Sequence, residues 1–255
     1  MAHLEVAATT FSRTIQDDYV RIIPSLWGDL MCDGVLLRHS NICRASERVD
    51  VESRGDRRYL VEHAIAFCTL LGVNSAIVTG LEKEWNMNRP SHRDAKGDGG
   101  EPWHVLGRPD GCIWSDAILT ACQMPRTTSK SIGVAYRLVA TPIRVRDQDY
   151  GTTILLRPPK NTESVSVKCG AEGREVAATL SVQGGLHDRD LLAKVARSRT
   201  VALTGSWCEE SLWHALGDVI GDIIGLGRVV ADLEVELGNY YHRATRQAVL
   251  EAYEK

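Results

Sequence analysis

The clearest periodic pattern in the chain lies in residues 57–72, where apolar positions recur three or four residues apart. On a helix, Leu60, Ala64 and Phe67 would share one face, as apolar residues do in an amphipathic segment packed on a core. Gly72 follows them as a typical C-terminal stop. The pattern therefore predicts a helix that ends at this glycine.

Short apolar or alternating runs fill the middle of the chain. They are rich in Val, Thr and Ile and are separated by Gly, Pro and polar residues, which is typical of strands joined by turns. Strands at this spacing favour an antiparallel sandwich or barrel. The predicted strands are residues 74–80, 132–140, 150–157, 164–168, 176–182 and 200–207.

Both ends of the chain carry patterns that favour helix. Residues 4–31 have apolar positions at mixed spacing, with a break at Pro24, and helical spacing returns from Glu209 onward. In this second region we interpret Asp218 and Asp222 as part of a solvated face. The closely spaced glycines of the same region are expected to weaken the helix.

Together these elements predict an α+β fold. An antiparallel β-rich core would be flanked by helical segments at both ends, within one domain that spans residues 1–255. The predicted division is an N-terminal helical segment at 1–73, a strand-rich core at 74–207 and a C-terminal helical extension at 208–255.

The composition is that of an ordinary globular protein. The chain has 255 residues, of which 44% are hydrophobic and 25% charged, with a net charge of -3. This charge gives no support for bulk nucleic-acid binding. The 7 cysteines are scattered and odd in number, which favours reduced thiols and a cytoplasmic protein. We expect no signal peptide and no membrane span, because the longest apolar stretches are too short.

Residues 86–111 are rich in Gly, Pro, Asp and Asn, which is typical of a loop that carries function. His92 and Asp94 lie two residues apart in this loop, so both side chains would point the same way on an extended segment. His187 would add a second imidazole from a distant strand. Two imidazoles and one carboxylate bind one face of a non-haem Fe(II) ion and leave the opposite face open. The sequence therefore predicts a metal site formed by His92, Asp94 and His187.

Two arginines follow His187 closely enough to serve the same site. Arg197 and Arg199 lie at the start of the predicted strand 200–207. A guanidinium group placed there would hold the carboxylate of a co-substrate through two parallel hydrogen bonds.

This order of residues resembles the Fe(II)/2-oxoglutarate-dependent dioxygenases. The stretches YGTTILLRPP, VAATLSVQGGLH and RSRTVALTGSW are similar to that family's mid-barrel strand, the strand that presents the distal His and the last strand, which bears the Arg. The loop SHRDAKGD is similar to the His-Arg-Asp segment of the Tet/JBP branch, which oxidises methylated nucleobases.

The resemblance covers roughly residues 74–207. It implies a double-stranded β-helix, Fe(II) and 2-oxoglutarate as cofactors, and hydroxylation of a small-molecule or nucleobase substrate. It assigns the metal to His92, Asp94 and His187, and the carboxylate of 2-oxoglutarate to Arg197 or Arg199.

A thiol hydrolase is an alternative. Cys112 follows Asp-Gly at the start of an expected helix, and a helix N-terminus favours the reactive thiolate. With His187 as its base, the order resembles that of papain-like cysteine peptidases. A buried structural cysteine is the other interpretation of the same residue.

Two further alternatives remain open. The chain contains the zinc-ligand types Cys32, His39, Cys43, His63 and Cys68, but their spacing matches no compact zinc module. A non-enzymatic structural or assembly protein, for instance a viral matrix-like or capsid-like subunit, is also compatible with helical ends and a strand-rich middle.

Overall fold

The structure is a computed structural model that describes residues 2–16, 21–46, 48–58, 61–80 and 115–255. Strands occupy most of its N-terminal part and its middle. These strands are β1 His3–Phe11, β2 Ile15–Gln16, β3 Arg21–Pro24, β4 Leu30–Cys32, β5 Val35–Leu36, β6 Ile42–Ala45, β7 Val49–Ser53, β8 Asp56–Arg58, β9 Ala76–Thr79, β10 Arg126–Leu138, β11 Ile143–Arg146, β12 Thr153–Arg157, β13 Ser164–Ala171, β14 Arg174–Ser181, β15 Val229–Val230 and β16 Asp232–Glu236.

Helices separate the strand groups. They are α1 Val61–Leu70, α2 Ser115–Ala121, α3 Arg189–Arg197, α4 Val201–Thr204, α5 Glu209–Ile220 and α6 His242–Glu254, with a short 3₁₀ turn at His39–Asn41 and a π-helical turn at Gly221–Leu226 that continues α5. None of the helices in the described ranges combines the length and the apolar character that a bilayer span requires.

The strands form four sheets whose neighbours are mostly antiparallel. Two sheets have five strands, in the orders β2-β3-β9-β4-β5 and β11-β12-β16-β13-β14. Two more have three strands, in the orders β1-β10-β15 and β6-β7-β8. The pairs β4–β9, β10–β15 and β13–β16 run parallel. The mixed helix-and-strand class is confirmed, whereas the double-stranded β-helix expected from the resemblance is not.

The helical layer at the centre carries the polar side chains described below. All ten residues of α1 are buried, and α1 packs against α5 and the π-helical turn. In turn, α5 packs against β13 and β14, and α6 packs against β11, β12 and the π-helical turn. The helix formed by α5 and the π-helical turn thus packs against both α1 and α6.

The helix predicted over residues 4–31 is wrong, because the described residues of this range contain strands β1 to β4 and no helix. β1 pairs antiparallel with β10 from His3 opposite Arg137 to Phe11 opposite Arg126. The mixed apolar spacing reflects a strand that is buried on both faces towards its end. The backbone hydrogen bonds of β1 come from a strand more than a hundred residues away, which local periodicity cannot reveal.

The predicted strand at 200–207 is also wrong, because Val201–Thr204 forms one turn of helix. This turn packs against α5. The strands predicted from periodicity at 74–80, 132–140, 150–157, 164–168 and 176–182 are confirmed by β9, β10, β12, β13 and β14. The helix predicted over residues 57–72 is confirmed by α1 from Val61 to Leu70, and Gly72 has the left-handed φ of 66° expected of a helix stop. Its predicted start is wrong, because Arg57 and Arg58 belong to β8, and so is its amphipathic character, because every residue of α1 is buried.

Helical spacing from Glu209 onward is confirmed at α5 and α6, but strands β15 and β16 lie between them. The glycines of this region permit a close crossing with α1. A Cβ added at Gly221 would lie 2.9 Å from the backbone nitrogen of Ala66. One added at Gly225 would overlap Oγ1 of Thr69 and Cγ2 of Ile65. These two glycines therefore determine how closely α1 and the π-helical continuation of α5 can approach each other.

We expect Gly225→Ala to lower the free energy of unfolding by about 1–2 kcal/mol, because the overlap outweighs alanine's better helix propensity. Urea unfolding followed by circular dichroism measures this. Gln247→Ala, at an exposed position of α6, serves as the control and should change stability by less than about 0.5 kcal/mol. A Gly225→Ala variant as stable as the wild type would contradict the close crossing.

Candidate metal centre

Buried ionisable side chains converge where α1, α5 and the start of α6 meet. Glu62 and His63 come from α1, His214 and Asp218 from α5, and His242 is the first residue of α6. Each of them is at most 5% exposed. Ionisable groups are rarely buried without a specific partner, so this cluster is the strongest candidate for a functional site among the described residues.

Three of these side chains are arranged as metal ligands. One ligand atom each from His63, His214 and Asp218 lies within 4.8 Å of the other two, and no other such group occurs in the part of the chain that the structure describes. Nε2 of His63 is 3.9 Å from Oδ1 of Asp218, and Nε2 of His214 is 3.4 Å from Oδ2 of the same carboxylate. Two imidazoles and a carboxylate are donors that catalytic zinc and non-haem iron sites use.

The hydrogen bonding of His214 prepares it to bind a cation. Its Nδ1 lies 3.2 Å from the backbone carbonyl oxygen of Ser198, to which the Nδ1–H tautomer donates. That tautomer leaves the lone pair of Nε2 on the side of Asp218. Burial lowers the pKa of His214, which favours the neutral imidazole that a metal requires.

Asp218 is held in its ionised form. Burial by itself would raise the pKa of this carboxyl group, but His214, His63 and His242 outweigh that effect and lower it. Its Oδ1 atom is buried and accepts no hydrogen bond from the described residues. An ionised oxygen without a donor in a dry interior is costly unless a cation faces it.

Glu62 precedes His63 on α1 and faces the same interior. Its Oε2 accepts a hydrogen bond of 3.0 Å from the backbone N–H of Val49, which fixes the carboxyl group against β7. Burial raises the pKa of Glu62 to about 7, against the opposing influence of His63 and His242. A carboxyl group with this pKa can take up and release a proton near neutrality.

His242 is paired with a second aspartate. Its Nδ1 is 2.7 Å from Oδ2 of Asp222, and the hydroxyl of Thr245 donates to the same oxygen at 2.7 Å. Burial by itself would lower the pKa of His242, but Asp222, Glu62 and Asp218 together outweigh burial and raise the pKa to about 9. His242 is therefore an imidazolium at neutral pH, and it interacts electrostatically with Glu62 and Asp218.

The interpretation of Asp218 and Asp222 as a solvated face is wrong, because the two are 2% and 5% exposed. His214, Asp218 and Asp222 are spaced four residues apart, so they lie along one side of α5 and its π-helical continuation. That side faces α1 and α6. Sequence reasoning missed these residues, although a His and an Asp four apart in an otherwise apolar helix would have been a usable signal.

The residues predicted for the Fe(II) site lie elsewhere or outside the described residues. His92 and Asp94 are outside them, so this metal site stays a prediction. His187 is exposed and directly precedes Asp188, the N-cap of α3. Arg197 is exposed in the last turn of α3. Arg199 makes a two-pronged ion pair with Glu210, at 2.7 and 3.0 Å.

The other candidates fare differently. Cys112 lies outside the described residues, so the thiol hydrolase stays untested. Of the five zinc-ligand types noted in the first part of the chain, His63 alone belongs to the metal-ligand group found in the described ranges. The remaining four, Cys32, His39, Cys43 and Cys68, do not join it, and His39 instead stacks on Tyr253 with ring centroids 4.2 Å apart.

Comparison with known proteins adds no assignment. No family model matches the chain, and the search of curated proteins gave no match.

Proposed function

We propose that this protein is a metal-dependent hydrolase that cleaves an acyl bond, an amide or an ester. The observation that carries the proposal is the buried group of His63, His214 and Asp218, with Nδ1 of His214 directed at a backbone carbonyl and Oδ1 of Asp218 without a donor among the described residues. Three protein ligands leave a fourth position for water, which is the arrangement of catalytic zinc sites.

The reaction class follows from Glu62 and His242, the two ionisable residues next to the three proposed ligands. A zinc-type cation bound there would polarise a carbonyl oxygen and acidify water. Glu62 is anchored by the backbone N–H of Val49 and interacts electrostatically with His63, His242 and Asp218, so it is the group to accept the proton of the attacking water. His242, kept protonated by Asp222, is the group to stabilise developing negative charge or to protonate the leaving atom.

The dioxygenase prediction, with Fe(II), 2-oxoglutarate and a double-stranded β-helix, remains a second proposal that rests on the sequence resemblance alone. The donor set of His63, His214 and Asp218 is one that iron also accepts, so ligand types do not separate the two functions. The acid–base pair that Glu62 and His242 would form beside a bound metal favours hydrolysis. Arg199 is engaged by Glu210, and binding of 2-oxoglutarate to it would have to break that pair.

Metal content separates the two assignments. We expect wild-type protein loaded with zinc and desalted to keep about one equivalent of metal, and His214→Ala to lose it, since two ligands do not define the site. His187→Ala is the matched control and should keep the metal. Elemental analysis measures all three proteins. Loss of metal in His187→Ala with retention in His214→Ala would replace this site by the one predicted from the sequence.

Activity tests the role of Glu62. With zinc-loaded protein and 4-nitrophenyl acetate as a simple acyl substrate, Glu62→Gln should lower kcat about 100-fold or more while metal content stays unchanged, because the proton acceptor is lost. Glu52→Gln, at an exposed position of β7, is the control and should retain wild-type turnover. Equal rates for Glu62→Gln and the wild type would contradict hydrolysis through Glu62.

A further inference from the structure

Tyr241 links the metal-ligand group to the acid–base pair. It is the buried residue that immediately precedes α6, where it occupies the N-cap position. Its hydroxyl donates a hydrogen bond of 2.6 Å to Oδ2 of Asp218. Its ring also lies against the ring of His242, with centroids 4.6 Å apart. One side chain thus contacts both a proposed ligand and the proposed acid.

The hydrogen bond makes the two oxygens of Asp218 inequivalent. Oδ2 accepts from Tyr241, whereas Oδ1 is buried and receives no donor from the described residues. A hydroxyl donor 2.6 Å from a carboxylate oxygen occupies one of its lone pairs and draws negative charge towards it. Oδ1 therefore keeps the lone pairs that a cation would need, on the side where Nε2 of His63 lies 3.9 Å away, while Nε2 of His214 lies 3.4 Å from Oδ2.

We propose that Tyr241 is a positioning residue that restricts Asp218 to one-oxygen binding of the metal, through Oδ1. The proposal rests on the metal-dependent function above and adds to it how one ligand, Asp218, binds the metal. With Asp218 bound through a single oxygen, the cation has three protein ligands and keeps a position for water. Binding through both oxygens would crowd that position.

The two aspartates of the cluster are held in parallel ways by consecutive residues. Tyr241 binds Asp218 and His242 binds Asp222, and the two aspartates lie four residues apart on the same helical side. Oδ1 of Asp222 also lacks a donor among the described residues. The start of α6 thereby binds one oxygen of each carboxylate and leaves the other buried without a donor among the described residues.

The chain just before α6 is fastened well enough to orient Tyr241. The backbone N–H of Gly238 donates to Oγ1 of Thr152 at 2.9 Å, and this hydroxyl donates to the carbonyl oxygen of Tyr240 at 3.0 Å. A Cβ at Gly238 would overlap the carbonyl oxygen of Tyr150. Residues 238–240 therefore pack closely on the turn before β12. This fixes the backbone next to Tyr241 and so the position of its hydroxyl.

Cobalt substitution measures the effect of removing the hydroxyl. Wild type, Tyr241→Phe and the control Tyr240→Phe, which changes the exposed neighbouring tyrosine, are each loaded with Co²⁺. We expect Tyr241→Phe to bind Co²⁺ about ten-fold or more weakly, as loss of a hydrogen bond to a metal ligand does. Its visible absorption should also weaken as the second oxygen of Asp218 raises the coordination number. Tyr240→Phe should match the wild type in both.

The possible outcomes distinguish the role of Tyr241 from the metal site on which it depends. Wild type that binds Co²⁺, with Tyr241→Phe identical in affinity and spectrum, overturns the role of Tyr241 and leaves the metal site standing. Wild type that binds no Co²⁺ overturns both. Should Tyr241→Phe fail to fold by circular dichroism, the test is the infrared difference spectrum between zinc-loaded and zinc-free wild type, both labelled with ¹³C-aspartate, which isolates the carboxylate that binds the metal. Bands of a one-oxygen carboxylate support the proposal, and those of a two-oxygen carboxylate overturn it.

Discussion

The close crossing of α1 with the end of α5 is the constraint on which the rest of the molecule depends. Gly221 and Gly225 remove the side chains that would keep these helices apart. The crossing buries an entire helix, α1, including its polar residues Glu62 and His63. Overpacking at such a contact would push the helices apart. A shift of that kind would separate His63 from His214 and Asp218, which hold their mutual distances only while the crossing is intact.

Burying so many ionisable groups has an energetic consequence that shapes the site. An isolated charge in the interior is strongly unfavourable, whereas charges that pair and accept hydrogen bonds are tolerated. Asp222 is matched by His242 and Thr245, and Asp218 by Tyr241 and two imidazoles. In each aspartate, however, Oδ1 has no hydrogen-bond donor among the described residues, so the charge of these carboxylates is only partly compensated. A bound cation would complete this compensation at Asp218 and would stabilise the folded state by mass action.

Local periodicity is enough to predict the elements whose stabilising contacts lie close together in sequence. The apolar spacing and Gly72 predicted α1, and alternation predicted β13 and β14, which pair with each other across a tight turn. It failed for β1, which depends on distant β10, and for residues 200–207, whose alternation belongs to a helical turn. Register with a remote partner leaves no local trace.

The candidate site was harder to predict than the fold because its members lie on three helices that only the tertiary structure brings together. In sequence His63 lies closer to Cys68 than to His214, and only the fold brings it to His214 and Asp218. Asp218 and Asp222 have the acidic side chains typical of a solvated helix face, because buried aspartates are rare. The His92–Asp94 loop carries a recognisable motif, whereas His214 and Asp218 lie in a helix whose pattern is that of ordinary core.

The central claim is that His63, His214 and Asp218 bind one metal ion. Anomalous diffraction from crystals of zinc-loaded protein, with data on both sides of the zinc absorption edge, locates the metal without assumptions about its ligands. We expect one strong anomalous peak about 2 Å from Nε2 of His63, Nε2 of His214 and Oδ1 of Asp218. A peak beside His187, with none between α1 and α5, would contradict it.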